Sequence, residues 1–204
     1  MRNQYSPSEF IKTVYSLVAT KLTFPQARLV RRPIYIRGGK SISGGKNLTT
    51  GRFCRFDLEG IKKTLFIGEN VEMGEMTHIV AHERVEIGNN VLFASKCFIS
   101  DTDHGRYKGE EQSSPDEAPN RRKLYTKPVQ IGNNVWIGEN AVILAGAQIG
   151  DGCVIGANSI VKGEVPVGTM IAGAPAKVIK KWNIETEKWE NVIQWSAKNE
   201  GTSN

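Results

Sequence analysis

No stretch of this 204-residue chain approaches the roughly 20 consecutive apolar residues that cross a bilayer. Nor is there a charged start, apolar core and small-residue cleavage sequence of the kind that marks a secretory signal. A soluble, cytoplasmic protein is therefore expected. Cysteine is scarce: Cys54, Cys97 and Cys153 lie far apart with no CxxC pair, which points away from a disulfide framework or zinc knuckle and towards a reducing compartment. Histidine is equally scarce, with only His78, His82 and His104, and no G-x-S-x-G elbow offers a serine nucleophile. The excess of 27 Lys and Arg over 21 acidic residues suits an anionic partner without naming it. Nucleic acid is not indicated, because the lysines are not interleaved with aromatics along one stretch and no reader motif is present.

What is abundant is a period. From Ile131 an aliphatic residue returns every sixth position, at Ile137, Ile143, Ile149, Ile155, Val161 and Val167, without a break in register. Glycine follows directly at Gly132, Gly138, Gly150, Gly156 and Gly168. The fourth residue after each aliphatic is small or apolar: Val135, Ala141, Ala147, Cys153, Ser159, Val165 and Ile171. The register also holds at Ile67, Met73 and Ile79, and again at Ile87, Phe93 and Ile99 after a two-residue slip at Val85 and Glu86; a looser form runs through Ile36, Ile42 and Leu48. A helix would space apolar residues by three and four, and an amphipathic strand by two. A strict six fits short strands joined by corners, stacked coil on coil around a narrow interior. Cys97 and Cys153 fall on the second inward position, where a small buried hydrophobe is expected.

Three segments stand outside the repeat, giving a helical cap over residues 1–30, a solenoid over 31–180 and a C-terminal helix and tail over 181–204. Ser6, Pro7 and Glu9 form a helix start, with N-cap, first-turn proline and capping-box glutamate. Phe10, Ile11, Val14, Leu17, Val18 and Leu22 then give one apolar face, expected to cap the first coil, with a membrane-surface role as the alternative. At the other end, Trp182, Ile184, Trp189, Val192, Ile193 and Trp195 predict a helix packing on the solenoid or on a neighbouring subunit. Residues 105–128 are an aperiodic excursion between two in-register runs, a length expected beside an active site, with a disordered insert as the alternative.

The segment GNNVWIGENAVILAGAQIGDGCVIGANSIVKGEVP, followed by AGAPAKVIKKW, resembles the hexapeptide-repeat acetyltransferases, a group that includes the galactoside and maltose acetyltransferases. ASKCFISDTDHGRYKGEEQSSP is most similar to the O-antigen and surface-polysaccharide O-acetyltransferases within it. The resemblance covers about residues 30–185. It implies an all-β, left-handed parallel β-helix, a homotrimer with sites between subunits, acetyl-CoA as co-substrate, a sugar or glycan acceptor and no metal. The acceptor could be free, nucleotide-linked or carried on a membrane-bound glycan intermediate, the last implying peripheral membrane association.

Acyl transfer to a hydroxyl needs a base to take the proton. His104 lies at a corner directly before the excursion and aligns with the general base of the resembling enzymes. Asp101 or Asp103 is near enough in sequence to hold its tautomer, Asp103 being the one that could instead be tied to the corner backbone. By resemblance, His78 and Tyr107 are assigned to the acceptor. Trp136, Gly138, Ala145 and Ala157 are assigned to the coenzyme groove, and Lys162, Lys177 and Lys180 to its phosphates. Gly163 after Lys162 departs from the sugar acetyltransferase pattern, and Gly74 replaces the asparagine that galactoside-type enzymes carry near their acceptor. Two other readings are a non-catalytic solenoid scaffold and a gamma-type carbonic anhydrase with three-histidine zinc. For the latter the spacing is wrong, since the close pair His78 and His82 precedes His104 rather than following a distant first ligand.

Overall fold

The computed structural model describes residues 5–192. The chain winds as a parallel β-helix of triangular section, with three sheets of nine, six and six strands running along its length as faces A, B and C. One coil shows the plan: Trp136–Ile137 lies on face A, Val142–Ile143 on face B and Gln148–Ile149 on face C, before Val154–Ile155 returns to face A. Ile137 then pairs in parallel with Ile155, and Ile143 with Val161. Each strand contributes about one inward aliphatic. Ile79, Ile99, Ile137 and Ile143 are fully enclosed, each burial contributing roughly 1.5–3 kcal/mol.

The corners explain the glycines and asparagines. A Cβ on Gly138 would come within 2.5 Å of the Ala157 nitrogen in the next coil, so close stacking of these corners requires glycine. At the corner between faces C and A, Asn47, Asn70, Asn90 and Asn134 adopt φ of 59°, 57°, 56° and 55°, the left-handed region that asparagine tolerates. Their side-chain amides also bond in a ladder from coil to coil, each Nδ2 donating to the next Oδ1 at 3.1 Å.

The register departs from the simple repeat in two places. The extra residues before Ile87 lie in the corner His82–Arg84, and Val85 itself is buried in the strand Val85–Ile87. Further on, Ile149 pairs with Val165, so the corner at Lys162–Gly163 is shorter than its counterpart below. Val167, expected to point inward, is therefore carried onto a corner and is 71% exposed.

Both termini correct the sequence reading. The helix Pro7–Thr23 does cap the first coil, with Ser6 accepting from the Glu9 amide, but the Glu9 carboxylate turns to Arg52 at 2.8 Å. The helix docks through Ser16 and Thr20, its buried residues, while its apolar side chains face outward. The expected C-terminal helix is a β-hairpin through residue 191: Ala176–Asn183 runs antiparallel to Thr169–Gly173 and pairs with Lys188–Asn191, extending face A. Trp182 and Trp189 meet edge to face across it, 5.5 Å between ring centres. The Asn183 side chain accepts the amides of Glu185 and Thr186 and so turns the chain there. Ile193 and Trp195 lie outside the described residues.

Candidate active site

His104 ends a short strand, Thr102–His104, that leaves the solenoid at the corner between faces B and C and pairs antiparallel with Leu124–Thr126. This two-stranded ribbon is the root of the excursion. Tyr107 donates its hydroxyl to the His104 carbonyl at 2.6 Å and accepts from Arg122 Nη1 at 2.7 Å. Arg122 also donates to the carbonyls of Glu117 and Ser114, gathering the loop around one guanidinium. The His104 backbone is thus fixed on both sides while its side chain is open to solvent.

The structure separates the two candidate aspartates. Asp101 is fully buried, and its carboxylate accepts the amides of His82, Glu83 and Arg84 in the coil below and the Thr102 hydroxyl. It is therefore Asp101, and not Asp103, that is tied to the corner backbone. With its oxygens engaged by these donors, Asp101 sets where the ribbon leaves the solenoid. Asp103 is exposed beside His104.

His78 lies on the outer surface of face B, where its Nε2 is 3.0 Å from Asp57 Oδ2 and its ring meets Phe98 edge to face. Burial pushes the Asp57 carboxyl up, but hydrogen bonds from Arg55, at 2.6 Å, and His78 outweigh it and hold the group below the usual carboxylate range. Sequence reasoning missed Asp57. The signal was its separation from His78 by nearly one coil, which stacks the two strands Arg55–Leu58 and His78–Ala81 side by side. The three histidines do not converge, and among the described residues no group of three or more His, Cys, Asp or Glu is placed to hold a metal ion.

The coenzyme candidates divide between two edges of the solenoid. Ala145 and Lys162 occupy the corner between faces B and C, stacked beyond the excursion; the adjacent Gly146 amide bonds the carbonyl of Lys127 as the loop returns. Trp136 is exposed on face A, and Gly138 and Ala157 follow on the corner between faces A and B. Lys177 and Lys180 lie on the hairpin strand opposite Ala172 and Met170, at the far end of face A. Within one chain, the His104 ribbon and the Trp136–Ala157 group therefore lie on opposite sides of face B.

The comparisons with known proteins agree with this architecture. Residues 128–163 match the family model described as bacterial transferase hexapeptide (six repeats). Over 191 residues the chain is 42% identical to the Escherichia coli K12 protein named "Putative lipopolysaccharide biosynthesis O-acetyl transferase WbbJ", covering 93% of this chain and 97% of that one. The chain belongs to the hexapeptide-repeat acetyltransferases. It is 32% identical over 181 residues to the galactoside O-acetyltransferase of the same organism, covering 89% of this chain and 74% of that enzyme. The fold matches that of AntD, an N-acyltransferase from Bacillus cereus solved with dTDP-4-amino-4,6-dideoxyglucose and coenzyme A, with a TM-score of 0.67 at 21% identity over 99% of this chain and 100% of that one. The chain is thus an acyltransferase dependent on acetyl-CoA, and the non-catalytic scaffold reading gives way to it.

Proposed function

We propose that this protein moves the acetyl group of acetyl-CoA to a sugar hydroxyl of a surface-polysaccharide precursor, O-antigen-like, in the cytoplasm. The similarity to WbbJ over nearly the whole of both chains supports that acceptor class. His104 acts as the general base. The observation that carries this role is its position: an open imidazole on a ribbon held by Asp101 beneath it and by Tyr107 and Arg122 above.

The reaction is a direct transfer. His104 takes the proton from the attacking hydroxyl as its oxygen bonds to the acetyl carbonyl carbon. Backbone N–H groups at the site receive the developing oxyanion. The tetrahedral species then expels the coenzyme sulfur, which leaves as the thiol after taking the proton from His104. The buried cysteines take no part.

The site is completed by a second copy. Beyond Phe66, face C is polar outside, with Glu86, Gln130, Gln148 and Glu164 along one row. Faces A and B carry Leu92 and Trp136, and Phe98, Val142 and Ile160, at their outer positions. Apolar outer rows on two adjacent faces suit a homotrimer in which face B of one subunit meets face A of the next. That packing brings the Trp136, Gly138 and Ala157 group of one subunit, with Lys177 and Lys180, towards the His104 ribbon, Ala145 and Lys162 of another. His78 and Tyr107 then border the acceptor. The test is a panel of free, nucleotide-linked and lipid-linked sugars incubated with acetyl-CoA and read by mass spectrometry. Acetylation of a glycan hydroxyl is the expected result, and acetylation confined to amines would overturn it.

A further inference from the structure

The N-terminal helix is amphipathic with its polar side turned inward. Face A begins at Leu29–Val30, a strand that among the described residues is paired on one side, with Thr49–Thr50. N–H groups on its open side are taken by helix hydroxyls: Val30 donates to Thr20 Oγ1 at 2.9 Å, and Arg32, just beyond the strand, to Ser16 Oγ at 3.2 Å. This explains why polar residues form the docked face, since an open sheet edge needs acceptors. Strands in a β-helix stack along the solenoid axis, so a helix bonded to the open edge of the first strand lies across the end of the solenoid. At about 100° per residue, Ile11, Val18 and Leu22 fall opposite Ser16 and Thr20 and point away from the solenoid. They are 68%, 57% and 81% exposed, and Phe10 beside them is 61% exposed. So many outward apolar side chains on one helix mark a surface that something covers.

The charge of this end says what. Residues 1–40 hold eight Lys and Arg against one acidic residue, Glu9, whereas the other 164 residues hold 19 basic and 20 acidic. The positive excess of the chain is thus carried by the sequence of the helix and the first coil, although Arg28 and Arg37 pair there with Glu72 and Asp57 of later coils. Two such ends set against each other would repel, and the apolar rows suited to self-assembly run along the sides of the solenoid rather than over its end. We propose that the N-terminal end is a membrane-docking surface, on which the outward side of the helix enters the interface of an anionic bilayer and the surrounding basic residues meet the lipid phosphates. The docking is separate from acetyl transfer, and its failure would leave turnover of soluble acceptors untouched.

The test is co-sedimentation of the full-length protein with vesicles of phosphatidylcholine alone and with added phosphatidylglycerol. Binding to the phosphatidylglycerol vesicles is expected to be about tenfold or more stronger and to weaken with salt. The double variant Ile11→Glu, Val18→Glu is expected to lose binding by at least about tenfold, with its mass by light scattering unchanged. Should that variant melt early, Lys12→Ala with Lys40→Ala gives an independent reading: weaker binding with a shallower salt dependence. Equal binding to both vesicles, no binding to either, or binding unaffected by the variants would overturn the proposal. A fall of the glutamate variant to a smaller assembly would do so too, because the helix would then be covered by another copy.

Discussion

The carboxylate of Asp101 accepts the backbone N–H of Glu83, one coil below, at 2.7 Å. With the amides of His82 and Arg84 on the same carboxylate, one buried side chain closes an enlarged corner and fixes the departure of the His104 ribbon above it.

Asp101→Ala leaves those amides without their acceptor, and buried unpaired groups cost about 1–3 kcal/mol each. A loss of about 3 kcal/mol or more in urea unfolding is expected, with a smaller loss for Asp101→Asn. Because Asp101 acts through position, the asparagine variant should keep the pH profile of kcat/KM while kcat falls. A displaced profile would instead show Asp101 tuning the base.

Tyr107→Phe removes the hydroxyl that joins the His104 carbonyl to Arg122. Both partners are at the surface, so unfolding free energy should change by less than about 1 kcal/mol. Looser placement of the base should lower kcat by about tenfold, read in steady-state assays at saturating acetyl-CoA. An unchanged kcat would show that the ribbon holds His104 without this link.

Asp57 is held below the usual carboxylate range in the folded chain by Arg55 and His78. A depressed folded value gives stability that is present above the unfolded value, near pH 4, and is lost as pH falls through the folded value. Asp57→Asn should therefore destabilise the protein by about 1–2 kcal/mol at neutral pH. The gap from wild type should close below about pH 4. A gap independent of pH would mean that the pair contributes by packing alone.

Burial pushes the thiols of Cys54 and Cys97 up to about 11. Alkylation of these two at pH 8 should be slower in the native protein than in the unfolded chain by on the order of a hundredfold, since the thiolate is the reacting form. Mass spectrometry of peptides after brief iodoacetamide treatment reads this directly. Rapid native labelling would place these side chains outside the core.

The solenoid was legible because its period of six belongs to neither helix nor isolated strand, and because every inward aliphatic from Ile131 to Val161 is buried. Val167 left the register because a corner was shortened after Val161, and a change of corner length does not alter the spacing of aliphatics in the sequence. The terminal hairpin was misread because Trp182 and Trp189, seven apart, match helical spacing as well as they match two strands folded about Asn183. The N-terminal helix was recognised but its orientation was reversed, since the demand of an open sheet edge for hydroxyls arises only once the sheet exists. Within the candidate site, His104 at the root of the excursion was visible from its place in the repeat. Asp57 was not, because its partner is supplied by the stacking of coils.

The measurement that tests the account most directly is acceptor-dependent release of coenzyme A thiol from acetyl-CoA by the wild-type protein and by His104→Ala, with coenzyme A binding measured on both. The account predicts that binding is retained while turnover falls by roughly 10² or more, the scale of a lost general base. Turnover that survives the substitution would contradict it and move the base to another residue of the site.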